Sequence, residues 1–150
     1  MESTLLLFQF TFKPVAMFCC ALFAGASTYI SLVEQPTIVY GGTELVGTYL
    51  LFAKPRPAVF QISFAAIGAL AGIAAGLTGA GLWWVLGGVL MGFCTLFYVF
   101  AVLPQTRRLL GVDLASDPAV ALGSIEKLVR LHVVQTLSSL ATLFIYILNV

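Results

Sequence analysis

The sequence predicts an all-α integral membrane protein: a four-helix bundle built around a central antiparallel, glycine-rich hairpin. Three observations carry that expectation. The runs Ala58–Thr78 and Leu82–Leu103 contain no Asp, Glu, Lys, Arg or His, and about 20 apolar residues at roughly 1.5 Å rise cover the roughly 30 Å of bilayer hydrocarbon. Only Gly79-Ala80-Gly81 joins the two runs, which is too short for anything but an antiparallel return. The 150 residues are 61% hydrophobic and 9% charged, with a mean hydropathy of +1.07, and a soluble domain needs more polar surface than that.

The first expected span is residues 14–34. Met1–Phe12 is mostly apolar, but Glu2 precedes the apolar run and Lys13 follows it, the reverse of a cleavable signal peptide. Pro14 suits the first turn of a helix, where its missing N–H costs nothing. Glu34-Gln35-Pro36 then ends the span, because a proline biases its predecessor away from helix. From Thr37 to Pro57 the chain is mixed, and its GTYLLFA patch is too short to cross a bilayer. It reads as an interfacial segment anchored by Tyr40 and Tyr49.

The hairpin spans follow at 58–78 and 82–103. Gly68, Gly72 and Gly76 on one helix and Gly88 and Gly92 on the other recur every four residues. That spacing lets helix backbones approach closely in lipid, although membrane helices are rich in glycine in general. Trp83-Trp84 beside the turn reads as an aromatic anchor at the headgroup level. After Pro104 comes the most polar stretch, in which Asp117-Pro118 marks a helix start. That helix runs through His132 into a fourth span at 129–148. One domain, residues 1–150, accounts for the whole length.

Charge sets the orientation. Lys54, Arg56, Arg107, Arg108, Lys127 and Arg130 share one face of this topology, and only Lys13 and the amino terminus lie on the other. The charged loops are therefore expected in the cytoplasm and both termini on the opposite side. A net charge of +1 offers no basic surface for nucleic acid. Membrane lipid, other membrane subunits or a second copy are the partners such a chain can have. Cys19, Cys20 and Cys94 lie inside apolar runs without metal-ligand or redox spacing. A lone histidine argues against a protein-only metal site, and no nucleotide loop, nucleophile motif or haem pattern is present, so no cofactor is expected.

The topology brings Glu34, Gln35, Tyr98, Thr106, Arg107, Arg108, His132 and Gln135 to the charged end of the bundle. Ionisable groups near hydrocarbon are costly and usually paired. Glu34 and His132 fit two descriptions: an ion-paired helix cap, or an orienting carboxylate beside an imidazole that acts as general base near neutral pH.

At these residues the chain resembles a family of small four-helix membrane proteins that includes the anthrone oxygenases. Val33-Glu34-Gln35-Pro36 is similar to the family's V-E-H-P ending of helix 1, and Leu103-Pro104-Gln105-Thr106 to its M-P-T-N motif after helix 3. Arg130-Leu131-His132 with Gln135 is similar to its L-H-x-x-R start of helix 4. Gln35, Thr106 and Gln135 depart from the family's His, Asn and Arg. The resemblance implies cofactor-independent oxygenation of a small aromatic or lipophilic substrate. His132 and Glu34 would be the catalytic pair, and Tyr98, Arg107, Gln35 and Gln135 would line the substrate. The alternative is a non-catalytic accessory subunit of a larger membrane complex, with the glycine faces mediating assembly.

Overall fold

The computed structural model describes residues 2–48, 55–111 and 118–150, and among these every element is helical. The elements are α1 (Glu2–Tyr29), α2 (Gln35–Thr48), α3 (Pro55–Ala75), α4 (Leu82–Phe97), α5 (Leu103–Gly111) and α6 (Pro118–Leu148). Wide π-helical turns at Ile30–Glu34 and Tyr98–Val102 join α1 to α2 and α4 to α5 without a break. Four helical rods result. Each contains a stretch long and apolar enough to cross a membrane: Leu6–Gly41, Ala58–Ala80, Leu82–Leu109 and Ala119–Leu148.

Two expectations about helix 1 are corrected. Pro14 lies inside α1, not at its start. The rod also does not end at Pro36, which is the second residue of α2. A proline in an ordinary helix removes one hydrogen bond and its ring collides with the carbonyl four residues back. Here the turn just before the proline is widened by one residue: the Gln35 N–H donates to the Ile30 carbonyl, five residues back. The same device recurs before Pro104, where the Leu103 N–H donates to the Tyr98 carbonyl. The enlarged turn moves the backbone that the proline ring would otherwise strike, and the helix continues. The interfacial segment expected around Tyr49 lies largely outside the described residues, and Tyr40 projects, 91% exposed, from α2.

α3 and α4 pack against each other, α1 lies on α3 and α6, and α4 on α6. The chain reverses between α3 and α4 at Gly79 and Gly81, whose φ angles of 103° and 105° are open to glycine at little cost. Gln9 of α1 donates its side-chain amide to the Thr78 carbonyl at 2.6 Å, satisfying a backbone acceptor at the end of this rod. Gly72 lies opposite Gly88, Gly76 opposite Val85 and Gly68 beside Met91. A Cβ on Gly88 would sit 2.6 Å from the Ile73 nitrogen and 2.8 Å from the Ala69 carbonyl oxygen. Gly92, at the same spacing, is different: its nearest neighbour is the Ala69 Cβ at 3.8 Å.

Tyr146 of α6 fills the notch these glycines leave, since a Cβ on Gly72 would strike its hydroxyl and one on Gly87 its ring. Its ring stacks on Trp84, with centroids 4.7 Å apart and planes at 18°. The expected anchor role of the tryptophan pair therefore divides. Trp83 is exposed, whereas Trp84 is fully buried, and its indole N–H donates to the Asn149 carbonyl at 2.9 Å. Around this pair Ala16, Cys20, Phe23, Ala69, Met91 and Cys94 form one apolar cluster. A second, at the far end of the bundle, is formed by Tyr98, Val102, Leu109, Ile125 and Leu128.

Gly88→Ala forces a methyl group against fixed backbone and is expected to cost about 1–3 kcal/mol by overpacking, whereas Gly92→Ala meets an ordinary contact distance. Thermal unfolding in detergent should show a lower midpoint for the first variant and an unchanged one for the second. Equal midpoints would contradict the close approach of α3 and α4.

Candidate functional site

Between the two apolar clusters lies a belt of polar side chains from α1, α3, α6 and the first π turn. On helix 1 it contains Ser27 and Ser31, four residues apart, and Gln35 at the close of the π turn. On α6 it contains His132, Gln135, Thr136, Ser139 and Thr142, spaced by three or four. Gln61 enters from α3. All of these except the half-buried Ser31 are buried.

The belt is hydrogen-bonded across helices. Thr136 Oγ1 lies 3.0 Å from both the Ser27 and the His132 carbonyl oxygens. A hydroxyl has a single proton, so Thr136 shares it between the two carbonyls, and the Ser31 hydroxyl, 2.8 Å away, is left to donate to Thr136. Gln61 Nε2 donates to the Ser27 hydroxyl at 3.3 Å, and Ser139 Oγ to the Thr136 carbonyl at 2.8 Å. These bonds set the register of helix 1 on α6. Beyond this point helix 1 continues through the π turn into Glu34 and Gln35, and both the π turn and α2 lie against α6.

Two glutamines stand out. Gln135 is 1% exposed, and neither its amide nitrogen nor its amide oxygen has a hydrogen-bond partner. Gln35 is 4% exposed, with its amide oxygen also unpartnered. Leaving a buried polar atom unsatisfied costs about 1–3 kcal/mol; among the described residues the Tyr146 hydroxyl, in the first apolar cluster, is the other buried group without a partner. Close to Gln135 on α6, His132 is 2% exposed.

The expected site residues are therefore distributed unevenly. Gln35, His132 and Gln135 belong to the belt, and Glu34, half-buried, ends the first π turn next to Gln35 in the chain. Tyr98 is buried one level away, in the second apolar cluster. Arg107 is exposed on α5, as is Arg108. Tyr29, a natural candidate for an aromatic wall, is 54% exposed. Thr106 spends its hydroxyl on the Val102 carbonyl, and Gln105 ties α5 to α6 through the Ser124 carbonyl. Among the described residues no group of three or more His, Cys, Asp or Glu is arranged to hold a metal ion.

Ser27, Ser31, Gln61 and Thr136 were not among the expected site residues. Their signal is nevertheless visible in the sequence as polar residues at helical spacing inside apolar spans. It is weak, because Ser and Thr in a helix also satisfy themselves on their own backbone, as Thr28 does on Ala24 and Thr95 on Met91.

Breaking the Ser31–Thr136 bond tests the belt. In a double-mutant cycle, Ser31→Ala and Thr136→Val are expected to couple by about 0.5–1.5 kcal/mol, the net worth of one hydrogen bond. Thermal or denaturant unfolding reads the coupling, and purely additive effects would mean that helix 1 and α6 are not joined there. Comparison of this chain with models of protein families, with curated proteins and with solved structures finds no match.

Proposed function

We propose that this chain is an integral membrane four-helix bundle with a central glycine-rich hairpin, whose polar belt binds a small aromatic or lipophilic substrate for cofactor-independent oxygenation, in the manner of the anthrone oxygenases it resembles. The observation that carries a binding role is the pair of buried glutamines with unpartnered amide atoms beside a buried histidine. In hydrocarbon such groups need a partner, and a ligand with both a donor and an acceptor supplies one. The π turns before Pro36 and Pro104, two of the three among the described residues, support the same reading. Turns of this kind occur frequently at functional sites, and here one contributes Glu34 and the other Tyr98.

In this reading His132 accepts a proton from an activated C–H of the phenolic substrate and Glu34 orients the imidazole. The substrate anion passes an electron to molecular oxygen, the two recombine with a new C–O bond, and the proton on His132 returns as the peroxide loses water. The net change is CH2 + O2 → C=O + H2O, with the substrate oxidised and oxygen reduced. Gln35 and Gln135 hold the substrate's polar edge. Tyr98 bounds the site from the π turn after α4, and Arg107 lies outside it.

The accessory-subunit alternative draws on a different surface. Gly68, Gly72, Gly76, Gly87 and Gly88 already face atoms of this same chain, so they are not free to mediate assembly. A partner would have to use the outward apolar surface, which every rod carries, for example Phe18, Leu70, Leu96 and Phe144.

Oxygen uptake by the purified protein with a phenolic anthrone distinguishes the two readings. Activity above the protein-free rate is expected, with His132→Gln lowering it about 100-fold or more, the usual contribution of a general base. Activity equal to wild type in that variant removes His132 from the chemistry. No uptake by wild type, together with a co-purifying membrane subunit, favours the accessory reading. Orientation is tested separately: a reporter fused after Val150 should read the non-cytoplasmic side and one inserted near Asp113 the cytoplasmic side. Inverted signals would overturn that assignment.

A further inference from the structure

At the end of the bundle that carries the Gly79–Gly81 reversal, a cavity of about 490 Å³ opens between α1 and the end of α6, lined by Leu6, Gln9, Phe10, Lys13, Pro14, Met17 and Val150. This volume lies within the range of small-molecule sites. We propose that the cavity holds an anionic phospholipid of the surrounding leaflet, its phosphate on Lys13 and an acyl chain along Leu6, Phe10 and Met17.

Three features point to that ligand. Lys13 is the only charged side chain in the lining, and it forms no ion pair among the described residues. It is held in place, with its ammonium 5.1 Å from the centroid of the buried Trp84 ring, while Trp84 is itself fixed by Tyr146 and Asn149. A positioned cation above apolar walls complements an anionic headgroup joined to a hydrocarbon chain. Pro14 adds an acceptor. Having no N–H, it leaves the Phe10 carbonyl without its intrahelical donor, and a headgroup hydroxyl such as that of phosphatidylglycerol can supply one. The polar belt is not involved, so this site is independent of the oxygenase reading and rests only on the membrane reading.

The full-length protein is reconstituted in nanodiscs of equal phosphatidylglycerol and phosphatidylcholine, then extracted into mild detergent, and the retained lipid is counted by native mass spectrometry. Wild type is expected to retain phosphatidylglycerol about five-fold over phosphatidylcholine, the factor supplied by one lysine near an anionic headgroup. Lys13→Gln should abolish the preference and Lys13→Arg keep it, while Met17→Trp, which fills the cavity, should lower retention of both lipids.

A second measurement needs no change at Lys13. Trp83→Phe leaves Trp84 as the sole indole of the chain's two, and brominated phosphatidylglycerol should quench it at about one fifth of the mole fraction needed for brominated phosphatidylcholine. Equal quenching, or an unchanged preference in Lys13→Gln, would overturn the proposal. Displacement of the phospholipid by added oleate would overturn it too, in favour of a free fatty acid. A chain that does not co-float with vesicles sinks the membrane reading and this site together, whereas one that floats without lipid preference sinks the site alone.

Discussion

The close approach of α3 to α4 is the constraint on which the remaining contacts depend. Gly88 meets the backbone of Ala69 and Ile73 directly, and Gly72 faces Gly88 across the same gap. Because these positions carry no side chains, the ring of Tyr146 can enter from α6 and stack on Trp84. Trp84 in turn holds the Asn149 carbonyl at the end of α6 and lies beneath the ammonium of Lys13 from α1. One aromatic pair seated in a glycine notch thus joins all four rods at one end. In the proposed membrane setting helices gain little from excluding water, so their association would come from close fit of this kind and from interhelical hydrogen bonds.

The other half of the bundle is organised by prolines. Pro36 and Pro104 each follow a π turn, and each turn closes with an N–H reaching five residues back. The outcome is continuous rods that change the facing of their side chains at that level, since one extra residue per turn rotates everything beyond it. Glu34 and Gln35 sit at the end of one such turn, and Tyr98 begins the other. A helix that stopped at Pro36 would leave Ile38 of α2 outside the second apolar cluster, against which it packs.

The polar belt lies between the two apolar clusters. Its serines and threonines are mutually satisfied, which fixes helix 1 against α6, whereas Gln35 and Gln135 are not. Gln61 belongs with the satisfied groups through its bond to Ser27, so only Gln35 and Gln135 form the unsatisfied part of the belt. That division is the physical ground for placing a ligand beside Gln35, His132 and Gln135 and not beside Ser27 or Ser31.

The number and order of the four rods were determined by the sequence alone, because apolar length and the absence of charge are local properties. The helix start at Pro118 was equally local. Tertiary structure decided everything that depends on a neighbour. Pro36 reads as a stop only while the turn before it is taken to be an ordinary α-helical one, and the π turn removes the collision on which that reading rests. Gly88 and Gly92 are equivalent by spacing, yet only Gly88 meets backbone on the facing helix. Trp83 and Trp84 are indistinguishable as letters. Successive helical residues point about 100° apart, so one of them faces outward while the other meets Tyr146, which lies 62 positions further along the chain and is brought beside it only by the fold.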